Sequence, residues 1–316
     1  MPDFQFRSFD FDRDWSRVSD IMRRSFGGDP EDQRRWITAE VTRDATQVFE
    51  VDGQIVGLTS SFDCHLQTRT HGAIQAKFGS GLMIDPAHRG TGLARAVIEG
   101  LYATWISEGA RAVLIEGAAP QLYQAVGFQT VGYVPQWQAR LANIDRRLLD
   151  RGKGCTVETI PQAEAPATLA KLESQIGGFQ PGRIVRSEAM WWFTVEGTGK
   201  PTDSFVIKDP SGQPIGHFTL NMAKDGAVAR EGRILTVRNW WAATPQAYAA
   251  LLSHLKGHQS WFDGFTWVGG LPCPLADLLD DWPKNVALRP LMARSLDPDL
   301  SLYGEFEGGW FNELCP

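Results

Sequence analysis

The sequence lacks the features that would mark a membrane, secreted or nucleic-acid-binding protein. No run of 18 or more apolar residues occurs in its 316 residues, which excludes an ordinary membrane-spanning helix. Its four cysteines, Cys64, Cys155, Cys273 and Cys315, show no paired spacing. Neither a disulfide framework nor a zinc knuckle is therefore expected, and the four read as reduced thiols. Positive charge is in deficit: 31 Lys and Arg stand against 37 Asp and Glu, a net charge of -6, and no basic block extends beyond pairs such as Arg23, Arg24 and Arg34, Arg35. Nucleic acid and anionic membrane are thus not expected as partners, although a local basic pocket is compatible with this balance. The N-terminal MPDFQFRSFDFDRDW alternates apolar and charged residues in place of a basic region and an apolar block. No secretory signal is expected, and the expected location is cytoplasmic.

What is present is a soluble globular composition, 43% apolar and 22% charged, in a chain long enough for two domains. Twelve tryptophans are abundant, most of them after Trp191, and pairs such as Trp191, Trp192 and Trp240, Trp241 read as large core residues. FQFRSF alternates as a strand and leads into a helix ending at Gly27, Gly28; Asp29, Pro30 then open a second helix. VFEVDGQIVGLTSSF is a hairpin about the Asp52, Gly53 turn. AKFGSGLMI is a further strand, and DPAHRGTG joins it to a helix with Leu93, Val97, Leu101 and Trp105 on one face. AVLIEG is a short strand, and PQLYQAVGF is one or two helical turns leading to another strand. The stretch 142–160 is charged and glycine-containing, the best linker or crossover candidate. Beyond it the pattern repeats: a hairpin at Ser204 to Asn221, a strand and Pro-containing turn into the helix of AATPQAYAALLSHL, and the strand FDGFTWVGG. This predicts a duplicated fold. At the equivalent turn one copy has PAHRGTGLA and the other ATPQAYAAL, so chemistry is expected in the first.

Glycines at a helix start leave N–H groups uncovered by side chains. The first turn's N–H groups lack internal partners and the macrodipole adds positive charge, which makes an anion site suited to a diphosphate. Arg89 adds a charged donor. The structural alternative is a tight strand-to-helix turn carrying a surface arginine, and this stretch alone leaves both open. It lacks the closing Gly-Lys-Ser/Thr of a P-loop and the placement of a Rossmann fingerprint.

Arg89-Gly90-Thr91-Gly92-Leu93-Ala94 resembles the pyrophosphate signature Arg/Gln-x-x-Gly-x-Gly/Ala of the GCN5-related N-acetyltransferase (GNAT) superfamily. LMIDP before it, the helix after it, LIEG and LYQAVGF follow that superfamily's motif in order from Phe78 to Phe128. RSEAMWWF, AATPQAYAALLSHL, PLADLLDDW and PLMARSLD are similar to the enhanced-intracellular-survival type of acetyltransferase, in which a degenerate GNAT-like domain follows the catalytic one. That type usually adds a sterol-carrier-like domain, which is not expected in the about 20 residues after Asp297. The resemblance implies an α/β (α+β) chain of tandem GNAT-like domains, each a mixed, mostly antiparallel sheet flanked by helices. The expected domains are 1–145, catalytic, and 156–297, degenerate, with a tail at 298–316.

The resemblance also implies acyl transfer from acetyl-CoA, or another acyl-CoA, to a primary amine on a small molecule or peptide, in a ternary complex and without a metal. The backbone N–H groups of Arg89, Gly90, Thr91 and Gly92 would hold the pyrophosphate, with Leu93 and Ala94 completing the motif. Main chain at Leu82 and Ile84 would pair with the pantetheine arm, and an N–H near Leu82 or Met83 would face the thioester oxygen. Tyr123 matches the family's general acid, against the alternative of a channel-packing tyrosine. For the base, Glu116 at the end of LIEG is the local candidate. The family's alternative is the terminal carboxylate, here Pro316, on a tail whose Tyr303, Phe306, Trp310 and Phe311 would dock it near Tyr123. Acidic residues such as Asp29, Glu31 and Asp32 would suit a cationic acceptor, though a solvated helix end explains them equally well. Cys64, His65 and His71 match no metal spacing, and His88 is expected to shape the turn. A non-catalytic acyl-CoA-binding or interaction protein is the competing reading, and a homo-oligomer is compatible with either.

Overall fold

The computed structural model describes residues 4–27, 34, 37, 44–117, 119–178, 180–195, 202–222, 233–269, 275–302 and 304–306. Two compact units divide the chain. Unit 1 comprises Met1–Gly132, Ile184–Gly199 and Pro290–Glu307, and unit 2 comprises Tyr133–Arg183, Lys200–Arg289 and Gly308–Pro316. The units are therefore interleaved in sequence and do not follow the contiguous stretches 1–145 and 156–297.

The first half runs β1 (Gln5–Ser8), α1 (Phe11–Phe26), β2 (Thr46–Val51), β3 (Gln54–Thr68), β4 (Gly72–Ile84), α2 (Leu93–Ser107), β5 (Ala112–Glu116), α3 (Pro120–Gln124) and β6 (Gln129–Arg140). The second runs β7 (Thr156–Ile160), α4 (Ala165–Ile176), β8 (Ile184–Arg186), α5 (Glu188–Val195), β9 (Thr202–Lys208), β10 (Pro214–Asn221), β11 (Ile234–Ala242), α6 (Pro245–Lys256), β12 (Gly264–Val268) and β13 (Lys284–Ser295). Asp52 and Gly53 turn β2 into β3 with φ 51° and 75°, the paired positive values of a two-residue hairpin. The expected linker at 142–160 contains β7, which pairs antiparallel with β9. The exposed Thr156, Glu158 and Thr159 of TVETI are what an edge strand tolerates, so it mimics a linker in composition.

In unit 1 the sheet order is β1-β2-β3-β4-β5-β13, with β8 also on β3. All pairs are antiparallel except β4 with β5. Unit 2 repeats the pattern as β7-β9-β10-β11-β12-β6, with β11 and β12 parallel. The last strand of each sheet comes from the other half of the sequence: β13 closes on β5 by Leu291 to Ser295, and β6 on β12 by Gln136 to Arg140.

Two apolar layers sandwich the unit 1 sheet. Val97, Ile98, Leu101 and Trp105 of α2 pack with Ile84, Val113 and Ile115 on one face. Val18, Ile21 and Met22 of α1, spaced i, i+3, i+4, pack with Val48, Leu58 and Met83 on the other. Burying side chains of this size stabilises by about 1.5–3 kcal/mol each. In unit 2, Ala247, Leu251 and Leu255 of α6 pack on Phe205, Phe218, Val237 and Trp267. Trp191, Trp240 and Trp267 are fully buried, as core tryptophans should be, whereas Trp261 and Trp282 are exposed. No helix of the described residues is long and apolar enough to cross a membrane.

Candidate active site

The site begins where two parallel strands part. β4 and β5 pair from Ala76 and Ala112 to Gly79 and Ile115. β5 then ends at Glu116 while β4 runs on to Ile84. Against β3, Ser60 lies opposite Ser80 but Leu58 lies opposite Met83, so Gly81 and Leu82 face the single residue Thr59. This bulge, with Gly81 at φ 65°, bends β4 away from β5. Ser80, Gly81 and Leu82 remain partly exposed in the opening. Leu82 and Ile84 join the α2-side cluster and Met83 the α1-side cluster.

Beyond Ile84 the chain turns into α2. Asp85 caps the short turn Pro86–His88 by accepting from Ala87 N–H at 2.9 Å, and His88 N–H returns to the Asp85 carbonyl at 2.8 Å. Arg89 N–H is used inside the turn, 3.3 Å from the Pro86 carbonyl, so its contribution to a ligand lies in the side chain. That side chain donates to the Ile84 carbonyl at 3.1 Å and the Ser25 hydroxyl at 3.2 Å. Gly90 and Gly92 take φ 77° and 84°, left-handed conformations that favour glycine. Thr91 folds back, its hydroxyl donating to the His88 carbonyl at 2.8 Å. Residues 89–92 are exposed, and α2 starts with no side-chain cap. Among the described residues the N–H groups of Gly90, Thr91 and Gly92 have no acceptor. Leu93 is buried and Ala94 half-buried at the first turn.

The turn is also cationic. Arg17 and Arg24 of α1 reach the buried Asp85 carboxylate, Arg24 at 3.3 Å, and Arg23 and Arg24 bind Asp20 at 2.6 and 3.4 Å. With Arg89 this sets four guanidiniums against two carboxylates, in a chain of net charge -6. Burial opposes ionisation of Asp85, but the Ala87 N–H, Arg17 and Arg24 outweigh it and hold its carboxyl below the usual range.

Tyr123 is buried on α3, its ring 5.5 Å from that of Phe128 and packed beside Gly117. It shares the α2-side cluster with Ile84, Leu93 and Ile115. Tyr123 thus belongs to the same apolar cluster as the end of β4 and the first residue of α2. Glu116 follows Ile115 on β5, opposite Leu291 of β13. Alternation along the strand places it on the opposite face from Tyr123.

Arg294 and Met292 of β13 also pack beside the segment that carries Tyr123. Arg294 donates to the Val126 carbonyl and lies 4.1 Å from the Tyr102 ring centre. It braces the turn that follows Tyr123, and Met292 packs in the same cluster. Nothing local signals this, because their partners lie more than 160 residues away.

The tail's described part is held at the other end of β4. Glu305 accepts from Arg69 N–H and from the Thr70 hydroxyl, the latter at 2.8 Å, at the β3–β4 turn, and Phe306 is buried. That is the expected docking near Tyr123 corrected for residues up to Phe306. Pro316, Tyr303, Trp310 and Phe311 lie outside the described residues, as do Asp29, Glu31 and Asp32. Cys64 is buried, its thiol donating to the Ala76 carbonyl at 3.6 Å. Among the described residues no group of three or more His, Cys, Asp or Glu is placed to hold a metal.

Unit 2 has the same parting strands but closes them. β11 leaves β12 after Val237 and Trp267, beside a bulge at Arg238. Trp240 is buried there, and its indole N–H donates to the Val268 carbonyl at 2.8 Å. Thr244 caps α6 by accepting from Ala247 N–H at 3.2 Å, with Pro245 at the first position. The donors that unit 1 exposes are thus removed or satisfied.

Residues 6–131 match a model of the acetyltransferase (GNAT) domain, and residues 182–294 match a second such model. No curated protein matches the sequence. Among solved structures, a GCN5-related N-acetyltransferase from Anabaena variabilis is 18% identical with a TM-score of 0.77, over 93% of this chain and 73% of that one. Eis1 from Mycobacterium abscessus is 17% identical with a TM-score of 0.65, over 93% and 74%. N-myristoyltransferase from Saccharomyces cerevisiae, with bound myristoyl-CoA, is 10% identical with a TM-score of 0.58, over 93% and 79%. At such identities the likeness shows the fold.

Proposed function

Since the chain carries two acetyltransferase (GNAT) domains and belongs to that family, we propose that unit 1 is an acyl-CoA-dependent N-acyltransferase. Its donor is acetyl-CoA and its acceptor a primary amine, with direct transfer in a ternary complex. The observation that carries this reading is the asymmetry of the two helix starts. Unit 1 leaves exposed, uncapped N–H groups beside parted strands, and unit 2 fills both features with Trp240 and Thr244.

The residues present fit such a donor. When bound, an acyl-CoA supplies an activated thioester carbonyl. The N–H groups of Gly90, Thr91 and Gly92, with those of Leu93 and Ala94 in the first helical turn, take the diphosphate, and the Arg89 guanidinium adds charge. The surplus of guanidiniums favours a ligand with more than one phosphate. Main chain at Leu82 and Ile84, released from β5, pairs with the pantetheine arm as an added strand. An N–H at Leu82 or Met83 faces the thioester oxygen and stabilises charge that develops there.

Acid and base are divided between the faces of the sheet. Tyr123, on the α2 side, protonates the departing thiolate. Glu116, on the α1 side, takes the proton of the incoming ammonium, directly or through water. The α1 side is then where the acceptor enters.

The test is thiol release from acetyl-CoA across a panel of primary amines, with CoA binding measured in parallel. Amine-dependent release is expected, with Tyr123→Phe lowering turnover about 10²–10⁴-fold at unchanged CoA affinity. CoA binding without release for any amine would favour a non-catalytic acyl-CoA-binding protein. Unchanged turnover in Tyr123→Phe would remove the acid.

A further inference from the structure

Unit 2 contains a buried polar row that its own side chains leave unanswered. Ser204 of β9 lies opposite Thr219 of β10, and Thr219 lies opposite Asn239 of β11. Directly opposed residues share a face, with Cβ atoms about 4.5–5.5 Å apart, so the three side chains form one row across three strands. Their strand neighbours Phe205, Phe218 and Trp240 belong to the α6 core, so the row is on the other face. Each of the three is at most 2% exposed. Among the described residues Ser204 Oγ, Thr219 Oγ1 and both amide atoms of Asn239 have no hydrogen-bond partner.

Buried His217 of β10 and Arg238 of β11 flank the row, and two other polar groups nearby are paired. Thr266 Oγ1 lies 3.4 Å from the Thr236 hydroxyl, and Trp241 Nε1 donates to the Ile176 carbonyl at 3.2 Å. The corresponding row of unit 1, Thr46, Ser60 and Ser80 across β2, β3 and β4, pairs its own hydroxyls: Thr46 and Ser60 are 2.8 Å apart. A buried polar group left without a partner carries a desolvation penalty larger than a hydrogen bond's net worth. Four such atoms together rival the margin by which a domain is stable, so something else must answer them.

The chemistry of the row defines what does. Two hydroxyls and one carboxamide both donate and accept, and carry no charge. The ion pair buried on this face is internal: Arg183 stacks on Trp241 at 4.7 Å and lies 3.5 Å from Glu173. The bulge at Arg238 and the departure of β11 from β12 interrupt the ladder beside Asn239. We propose that the row is a closed site for small neutral hydrogen-bonding molecules, namely structural water, each bridging two of its side chains.

The test is a high-resolution crystal structure of the full chain, paired with the isosteric Thr219→Val variant. At least two ordered waters are expected, each within about 3.2 Å of two of the four atoms, and Thr219→Val should lose one of them. Thr219→Val should also lower the Tm, because a bridged water loses a partner. A row without water density, density for a larger molecule, or a Tm that rises on removing the hydroxyl would overturn the proposal.

Discussion

Burial bears directly on Tyr123, the proposed acid. Burial alone pushes its phenol up to about 12, so it keeps its proton throughout the neutral range. No alkaline limb from Tyr123 is expected in the pH–rate profile below about pH 10, near the ordinary phenol value, and a Tyr123-dependent limb at pH 8 would contradict this. Folding stability follows the same shift. Tyr102, also near 12 chiefly through burial, and Tyr123 contribute stability fully present below about pH 10, the unfolded phenol value. That contribution is lost as pH rises through about 12. Tyr123→Phe should therefore flatten the fall of Tm on the alkaline side, and an unchanged slope would count against the assignment. Arg294→Ala should cost about 1–3 kcal/mol through the lost bond to the Val126 carbonyl. It should lower kcat more than it changes CoA affinity, which separates a positioning role from a binding one. Tyr123 was legible because LYQAVGF is a local word, whereas Arg294 acts only through residues distant in sequence.

Among elements, the two helix starts are the informative pair. Gly90 and Gly92 have open space where a Cβ would go, so substitution there strains backbone conformation without steric overlap, by about 1–2 kcal/mol at positive φ. Thr244→Ala should remove the α6 cap and cost unit 2 about 1 kcal/mol, read as a lower denaturation midpoint with CoA affinity unchanged. A loss of CoA affinity in that variant would place donor binding in the wrong unit. The turns were legible because capping and positive-φ chemistry act within a few residues. β7, β8 and β13 were not. Each takes its place from a strand far away in sequence, as when Ile184, Val185 and Arg186 pair with Leu66, His65 and Cys64. The bulge at Gly81 was hidden for the same reason, since register exists only once β3 lies beside β4.

The whole molecule is a duplication whose halves exchange their last strands. Repeated hairpins and turns made the duplication visible in the sequence, but not the exchange, because a strand's own residues do not name its neighbour. Residues 1–145 alone would lack β13 and leave the Leu114 and Ile115 edge of β5 unpaired, an exposed edge that favours aggregation. Expressed separately, 1–145 and 156–297 should each fail to give a cooperative unfolding transition, and should recover one when produced together. A stable, cooperative 1–145 would refute the interleaved assignment. At the same scale, a net-negative chain that gathers guanidiniums at one turn should bind its donor with salt-dependent affinity. Whether donor binding resides at the glycine turn of unit 1 is decided by calorimetric titration of CoA into the wild type, Gly90→Val and Thr244→Ala. One CoA per chain is expected, with affinity reduced at least about tenfold, or 1.4 kcal/mol, by Gly90→Val and unchanged by Thr244→Ala. Two equivalent sites, or an affinity indifferent to Gly90, would contradict that placement.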